Sequence, residues 1–299
     1  MNRLLVWSPV IVGLLLGFAI YLSVIPLTDM HSDEYLVYFQ TRFDLGYTIW
    51  YQTFQDVHPP LWFSLFWGWR QLVGISEYAG RLHAILLSLI TLAVTYRLAR
   101  EWFGGRHSGL LAMLFLLVSG FHLAYALEIR PYALTMLLAS FSMLLYSRWL
   151  TSDGQRSWRW ALLWGVLAGV SLYVHYFIAF LYVAQGVYAL LVVRPWGKLL
   201  RQGGAAALLG IAIWSPWLPF LYGQLETLRG LALEAGTSYG SGLGTNATTS
   251  PTSLETLWRF ILLLTNQQPL VYAGLLIGGV LLLRRRRMFR LTMVWFALV

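Results

Sequence analysis

Long apolar runs separated by short clusters of arginine constrain this chain more than any other feature of its sequence. A helix needs about 20 apolar residues to cross the hydrocarbon core of a membrane. Of the 299 residues, 58% are hydrophobic and 11% are charged, less than half of the roughly 25% charge of average soluble domains. This composition excludes a disordered chain and a soluble enzyme, and it predicts an all-α polytopic membrane protein.

The apolar runs predict about nine spanning helices. The predicted spans are 4–25, 79–99, 108–126, 131–149, 159–176, 177–193, 203–222, 257–283 and 289 onward. We treat residues 1–299 as one transmembrane domain. Because the last apolar run is cut off at Val299, we expect a further C-terminal part beyond it.

Two longer segments connect the predicted spans on the outer side. Residues 26–78 form the first outer loop, and residues 224–256 form the second. Within the first loop, the sequence predicts an interfacial helix over 31–46 with Ser32 as its N-cap. The apolar stretch 60–73 is too short to span, and its tryptophans are typical of the membrane–water interface. We therefore predict interfacial helices in this loop and no additional span.

The basic residues are distributed asymmetrically along the chain. If the N-terminus is cytoplasmic, 15 of the 21 lysines and arginines fall in inner connections, whereas ten of the twelve acidic residues fall on the outer side. This distribution agrees with the positive-inside rule, which therefore predicts a cytoplasmic N-terminus. The net charge of +9 would suit a nucleic-acid partner, but the basic residues stand in short clusters between long apolar runs, so no nucleic-acid partner is predicted. The absence of cysteine excludes thiol catalysis and cysteine-ligated metal.

Four polar clusters lie at the predicted outer ends of the spans, where charges near a membrane indicate function. The first is Asp33 and Glu34, which point about 100° apart on a helix; one can face a substrate, or both can simply stabilise the first helical turn. The second is His58, which two prolines follow. This histidine can act as a ligand or carry a proton, or the segment can simply mark the start of a helix. The fourth is His175 and Tyr176. These side chains either belong to a functional site or simply lie among the lipid headgroups.

The third cluster surrounds Arg130. The proline at 131 disfavours helix at the preceding residue, and in an extended segment residues two apart share a face. Glu128, Arg130 and Tyr132 are therefore expected to point the same way. A guanidinium suits phosphate because its fork binds two oxygens. The alternative is a structural ion pair between Glu128 and Arg130.

In their order and spacing, the four clusters resemble one family. The matching segments are Asp33-Glu34, Asp56-Val-His-Pro-Pro-Leu61, Glu128-x-Arg-Pro-Tyr-Ala-Leu134 and Tyr173-x-His-Tyr-Phe177. They resemble the bacterial branch of the dolichyl-phosphate-mannose protein mannosyltransferases, and also the lipid A aminoarabinose transferase, over residues 25–190. The resemblance implies the GT-C glycosyltransferase fold in a bacterial inner membrane, with an active site that faces the periplasm or the exterior.

The resemblance also implies an activity. It implies inverting transfer of a sugar from a polyprenyl-phosphate carrier to a lipid, glycan or protein acceptor on the non-cytoplasmic face. Asp33 is then the catalytic base with Glu34 beside it, and Arg130 binds the donor phosphate. Further residues implied at the phosphate are Tyr132, His175 and Tyr176, with His58 and Glu128 in support. Candidate ligands for a divalent metal ion, as in some relatives, are Glu34, His58 and His175.

Two other functions fit a polytopic membrane protein. A secondary transporter places charges near the middle of the bilayer on broken helices, whereas here they collect at one face. A flippase or polymerase of lipid-linked glycans would share the lipid and the topology but would carry basic outer loops, whereas these loops are mainly acidic. The pattern favours a transferase whose partners are a lipid-linked sugar donor, an acceptor and the surrounding membrane lipids.

Overall fold

The computed structural model describes residues 3–234 and the single residues 258, 262, 270, 273, 274 and 277, and the secondary structure of this part is helical. The helices are α1 (Arg3–Val24), α2 (Ser32–Gln40), α3 (Leu45–Phe54), α4 (Leu61–Val73), α5 (Glu77–Phe103), α6 (Arg106–Leu117), α7 (Gly120–Leu127), α8 (Tyr132–Thr151), α9 (Gly154–Ser171), α10 (Ile178–Val192), α11 (Trp196–Lys198), α12 (Gly204–Trp214) and α13 (Leu218–Glu234). The predicted all-α architecture is confirmed.

Several helices are long and apolar enough to cross a membrane. Four stretches meet this criterion, Trp7–Leu27, Glu77–Phe103, Tyr132–Thr151 and Trp196–Glu226. A fifth candidate consists of α6 and α7, which are bent by 66° at a short break. The predicted spans 159–176 and 177–193 correspond to α9, with 18 residues, and α10, with 15. Apart from single residues in 257–283, the last two predicted spans lie outside the described residues, so the total of about nine stays a prediction.

The break between α6 and α7 has a local cause. Helix α6 ends at Leu117, and the Ser119 hydroxyl caps α7 by accepting a hydrogen bond from the backbone N–H of His122 at 3.4 Å. Serine is a favourable N-cap, so it starts a new helix in a new direction. The span predicted over 108–126 therefore consists of two shorter helices, which together form the bent candidate.

The segment predicted as the first outer loop contains three helices, α2, α3 and α4. The single helix predicted over 31–46 is divided, because α2 ends at Gln40 and Asp44 caps α3 by accepting the backbone N–H of Tyr47 at 2.7 Å. Helix α4 has 13 residues, about 20 Å at the usual helical rise. This length agrees with the prediction that residues 60–73 are too short to span.

Glycines set the close packing of α9 on α12. A Cβ on Gly165 would come within 2.4 Å of the carbonyl oxygen of Ala206, and a Cβ on Gly169 within 2.7 Å of the carbonyl oxygen of Gly210. Small residues let helices approach closely in a membrane, where packing rather than the hydrophobic effect drives association. This contact fixes the C-terminal half of α9 against α12.

The helical bundle has two polar ends. The basic end comprises the connections after α5, α8 and α10, where Arg148 on α8 bonds Glu101 on α5 at 2.7 Å. The acidic end comprises the connections before α2, α4, α8 and α10. There the backbone N–H of Leu61 donates to the carbonyl of Tyr173 at 3.0 Å, which joins segments more than a hundred residues apart.

Candidate active site

The start of α2 brings Asp33 and Glu34 to the acidic end. The N-cap is His31, not the predicted Ser32: its side chain accepts from the backbone N–H of Asp33, and the Glu34 carboxylate accepts from the backbone N–H of His31 at 2.8 Å. This is a reciprocal capping box, which satisfies two otherwise free N–H groups at the helix start. The cap fixes the rotation of α2, so the two adjacent carboxylates point in different directions.

Glu34 faces inward and is used to hold the site together. The residue is 3% exposed, and its second carboxylate oxygen accepts the backbone N–H of Ile129 at 2.8 Å. The guanidinium of Arg81 lies 3.9 Å away, which compensates the buried charge. Asp33, in contrast, has a side chain that is 49% exposed. Of the two acids, Asp33 is therefore the more accessible to solvent.

Arg130 lies at the centre of the cluster. A three-residue turn, with the Arg130 N–H donating to the carbonyl of Glu128 at 2.9 Å, turns the chain before α8 begins. The arginine is only 7% exposed. Its Nη2 lies 3.6 Å from a carboxylate oxygen of Asp33 and 3.5 Å from Nε2 of His58, and its buried Nε has no hydrogen-bond partner. The guanidinium thus makes only long contacts, and its buried Nε–H has no acceptor.

His58 is fixed by Asp56, a residue that the sequence analysis did not assign to the site. The Nδ1 of His58 lies 2.7 Å from a carboxylate oxygen of Asp56, and Gln40 donates to the other oxygen. Burial acts to raise the pKa of Asp56, but the hydrogen bonds from His58 and from the backbone outweigh it, so the pKa lies below its usual value. The ionised carboxylate therefore orients the ring with Nε2 toward Arg130.

Glu128 does not form the structural pair with Arg130 that was the alternative interpretation. Within residues 3–234, the ion pair of Arg130 is with Asp33, and no ion pair joins Glu128 to Arg130. Burial raises the pKa of Glu128 to about 6, and the negative charge of Glu34 acts in the same direction, whereas the positive charge of Arg130 acts in the opposite direction. Glu128 and Arg130 thus form no salt bridge with each other, although they are only two residues apart.

His175 and Tyr132 form the wall between this cluster and an apolar groove. The His175 ring centroid lies 6.3 Å from that of His58 and 5.8 Å from that of Tyr132. Burial lowers the pKa of His175 to about 4, with the neighbouring His58 and Arg130 acting in the same direction, so the ring is neutral at physiological pH. The Arg130 guanidinium carbon lies 5.9 Å from the Tyr132 ring centroid.

The apolar groove runs away from this wall between α7, α8 and α10. It has a volume of about 460 Å³ and is lined almost entirely by apolar side chains. Besides Tyr132 and His175, its lining comprises Phe121, Tyr125, Thr135, Met136, Ala139, Phe177, Ile178, Phe180 and Leu181. The polar cluster around Arg130 and the apolar groove therefore share a wall formed by Tyr132 and His175.

This geometry can be set beside known proteins. The sequence model of the family described as Dolichyl-phosphate-mannose-protein mannosyltransferase matches residues 57–220, just over half of the chain. The chain belongs to this family. No curated protein and no solved structure matches it.

Membership of the mannosyltransferase family confirms the resemblance seen in the sequence motifs. The protein is a membrane glycosyltransferase of the GT-C type. The matched range includes His58, Arg130 and His175, whereas Asp33 and Glu34 precede it. Neither the transporter nor the flippase and polymerase interpretation is favoured by this match.

Two predictions fit this mannosyltransferase-family site poorly. The hydroxyl of Tyr176, predicted at the donor phosphate, donates to Gln224 at 2.6 Å and accepts from the indole of Trp217 at 2.7 Å. It therefore ties the start of α10 to α13. In the part of the chain that the structure describes, no three His, Asp or Glu side chains form a metal-binding group. The candidate set Glu34, His58 and His175 is not assembled, since both oxygens of Glu34 accept backbone N–H groups.

Proposed function

We propose that this protein transfers a sugar from a polyprenyl-phosphate carrier to an acceptor hydroxyl on the non-cytoplasmic face of a bacterial inner membrane. The observation that carries the proposal is the environment of Arg130. A guanidinium that is 7% exposed, with a buried Nε lacking a partner, lies at the shared wall of a polar cluster and an apolar groove. A polyprenyl phosphate needs both, because its phosphate is anionic and its chain is apolar.

The phosphate of the donor binds at Arg130. A buried charged group that lacks full hydrogen bonding is costly, and a phosphate would remove that cost by accepting the unused donors. A guanidinium fork binds two phosphate oxygens in fixed geometry, which a point charge cannot do. His58, oriented by Asp56, supports this side of the fork through its Nε2, 3.5 Å from Nη2. Tyr132 and neutral His175 border the same space.

The polyprenyl chain of the donor occupies the apolar groove. The lining between α7, α8 and α10 offers aromatic and aliphatic side chains and hardly any polar surface. Burying apolar area there is favourable by about 25 cal/mol per Å². Phe177 and Phe180 are largely exposed, so an isoprenoid chain in the groove would cover them. The carrier would then extend from Arg130 toward the membrane interior.

The chemical step is a single displacement at the anomeric carbon. The Asp33 carboxylate takes the proton of the acceptor hydroxyl as the hydroxyl oxygen attacks that carbon. The bond from the anomeric carbon to the phosphate oxygen breaks, and its electron pair leaves on the phosphate. Polyprenyl phosphate departs with its negative charge stabilised by Arg130. Attack opposite the leaving phosphate inverts the configuration at the sugar.

Two measurements test this proposal. Mass spectrometry of membrane lipids, glycans and proteins, with and without the gene, should show the loss of one glycoform, which names the sugar and the acceptor class. Complementation with the Asp33→Asn variant should not restore that glycoform, whereas the wild-type gene should. An unchanged profile in cells that make the protein would contradict a transferase. Accumulation of a lipid-linked sugar on the wrong face would favour a flippase.

The predicted orientation is tested separately. Cysteines introduced at positions 76 and 104 lie at the two ends of α5. A membrane-impermeant thiol reagent should label position 76 from outside and should label position 104 only after the membrane is opened. The natural absence of cysteine makes the chain its own control. Labelling of both positions from the same side would overturn the outward-facing site.

A further inference from the structure

A second polar pocket lies at the basic end, opposite the active site. It has a volume of about 320 Å³ and lies between the start of α9 and the turn that leads into α12. Its lining is Trp158, Pro195, Gly197, Lys198, Arg201 and Gln202. No acidic side chain belongs to this lining, and nothing in the proposed transfer reaction uses it.

Gln202 presents hydrogen-bond donors to this pocket. The residue is 9% exposed, and its side-chain oxygen accepts from the indole of Trp149 at 3.0 Å and from the hydroxyl of Ser157 at 2.6 Å. The amide nitrogen is therefore the end that remains, and its N–H groups have no partner among the described residues. A π-helical turn over Leu199–Gly203 positions this side chain, and such turns are frequent at functional sites. An amide donor beside two cationic side chains suits an anion.

The charges of the pocket lead to the same conclusion. Lys198 donates to the backbone carbonyl of Ser152 at 2.6 Å, which holds its ammonium beside the pocket. The nearest carboxylate, that of Asp153, lies 3.8 Å from the ammonium, but its side chain is fully exposed and so is screened by solvent. Arg201, three residues after Lys198 in the same helical stretch, adds a second positive charge to the lining. The pocket therefore keeps a positive potential.

An apolar surface continues from this pocket along the candidate span Trp196–Glu226. Leu200 is 71% exposed, and Leu208 and Ile211, which lie on one face of α12, are 69% and 59% exposed. These side chains face outward from the bundle, where a membrane helix meets lipid tails. A ligand that satisfies the whole surface needs an anionic head and apolar chains.

We propose that this pocket binds the headgroup of an anionic phospholipid. The phosphate takes hydrogen bonds from Lys198, Arg201 and the Gln202 amide, and the acyl chains lie along Leu200, Leu208 and Ile211. Trp158 at the rim suits the interface between headgroups and tails. The site is distinct from the donor groove, because it lies at the other end of the bundle. A lipid bound there would link the junction of α9 and α12 to the anionic headgroups of the inner leaflet.

Native mass spectrometry of the purified, delipidated protein tests the proposal. Phosphatidylglycerol should bind at least tenfold more tightly than phosphatidylcholine with the same chains. The Lys198→Gln/Arg201→Gln variant should lose this preference, since each basic residue near an anionic surface contributes about fivefold. The matched control is Arg100→Gln/Arg106→Gln, which removes two charges at the same end but outside the pocket and should keep the preference.

Equal binding of the two lipids, or an equal loss in the control variant, would overturn the site. Displacement of bound phosphatidylglycerol by millimolar inorganic phosphate would also overturn it in favour of a soluble anion. If the double variant fails to fold, Arg201→Gln alone, whose side chain is exposed, gives the same comparison. The assay measures lipid binding and not sugar transfer, so it is independent of the proposed activity.

Discussion

Two arginine clusters at opposite ends of the bundle differ in how completely their hydrogen bonds are satisfied. At the basic end, the Glu101 carboxylate accepts from Nε of Arg97 at 2.5 Å and from Arg148 at 2.7 and 3.1 Å. At the acidic end, Arg130 has only contacts of 3.5 and 3.6 Å, and its Nε is buried without a partner. The more buried arginine is the less satisfied one.

This difference separates a structural ion pair from a binding site. Short, solvent-accessible ion pairs such as those of Glu101 hold helix ends together and contribute little to stability. A buried cation with unused donors is unfavourable by itself, and it is retained where a ligand completes it. If this distinction is correct, changes around Arg130 should affect transfer strongly, whereas changes around Glu101 should affect only stability, and weakly.

The largest effect is expected from Asp33→Asn. An amide keeps the shape of the side chain but cannot take a proton from the acceptor hydroxyl. The turnover number should fall about 10²–10⁴-fold, while the affinity for the donor lipid should change little, because Asp33 does not supply the phosphate-binding donors. Steady-state transfer measured with purified protein, together with titration of polyprenyl phosphate, separates the two quantities.

Glu34→Gln is the matched control for that prediction. Glu34 accepts two backbone N–H groups and is buried, so an amide would place N–H against N–H at one of them. We expect a loss of about 1–3 kcal/mol in the free energy of unfolding, with residual activity in the folded fraction. A well-folded, inactive Glu34→Gln beside a nearly normal Asp33→Asn would instead assign the base to Glu34.

The next largest effect is expected from Arg130→Lys. The ammonium keeps the charge but loses the fork, so transfer should fall about 10–100-fold, the range of one lost charge-assisted hydrogen bond. Arg130→Ala should be worse and should also weaken donor binding, because both the bound and the departing phosphate are anionic. A folded Arg130→Ala protein that binds donor with unchanged affinity would remove Arg130 from the phosphate site, and His175 would become the first candidate.

The sequence alone predicted the all-α architecture and several of the helices from local patterns. Apolar length gave α5 and α8, and the short run before Arg70 gave α4 as a helix too short to span. A local pattern was also available for the cap of α2: Glu34 follows His31 by three residues, the spacing of a capping box. The prediction of Ser32 missed it because histidine is a rare N-cap.

Contacts between distant segments could not be predicted from local patterns. The hydroxyl of Tyr176 meets Trp217 and Gln224, which are 41 and 48 residues away along the chain. Nothing near Tyr176 in the sequence indicates that α13 will return to this place. Likewise, the partner of Arg130 is Asp33 and not the nearby Glu128, because the turn before α8 aims the guanidinium toward α2.

A smaller effect is expected from Glu101→Gln at the basic end. The change removes the charge that Arg97 and Arg148 share, and it leaves two cations close to each other. The free energy of unfolding should fall by about 0.5–1 kcal/mol, the range of an accessible ion pair, and transfer per folded molecule should stay at the wild-type level. The effect should shrink in 1 M salt, where charges are screened beyond about 3 Å. A severe loss of transfer would mean that the two ends are coupled.

The smallest effect is expected from Glu128→Gln, and it depends on pH. The pKa of Glu128 is raised from 4.5 to about 6, chiefly by burial and further by the charge of Glu34. A carboxyl whose pKa is higher in the folded state stabilises the fold below the unfolded value and loses that contribution as the pH rises through the folded value. Wild-type stability should therefore decline between pH 4.5 and 6 on account of this group, and the uncharged amide should not share the decline.

Because the side chain is only partly buried, the variant should melt about 2 °C higher than wild type above pH 7 and equally at pH 4.5. Thermal unfolding in detergent at the two pH values measures this. A variant that melts lower than wild type at pH 7 would mean that the Glu128 carboxylate stabilises Arg130 after all, and Arg130 would then resemble the satisfied arginines around Glu101.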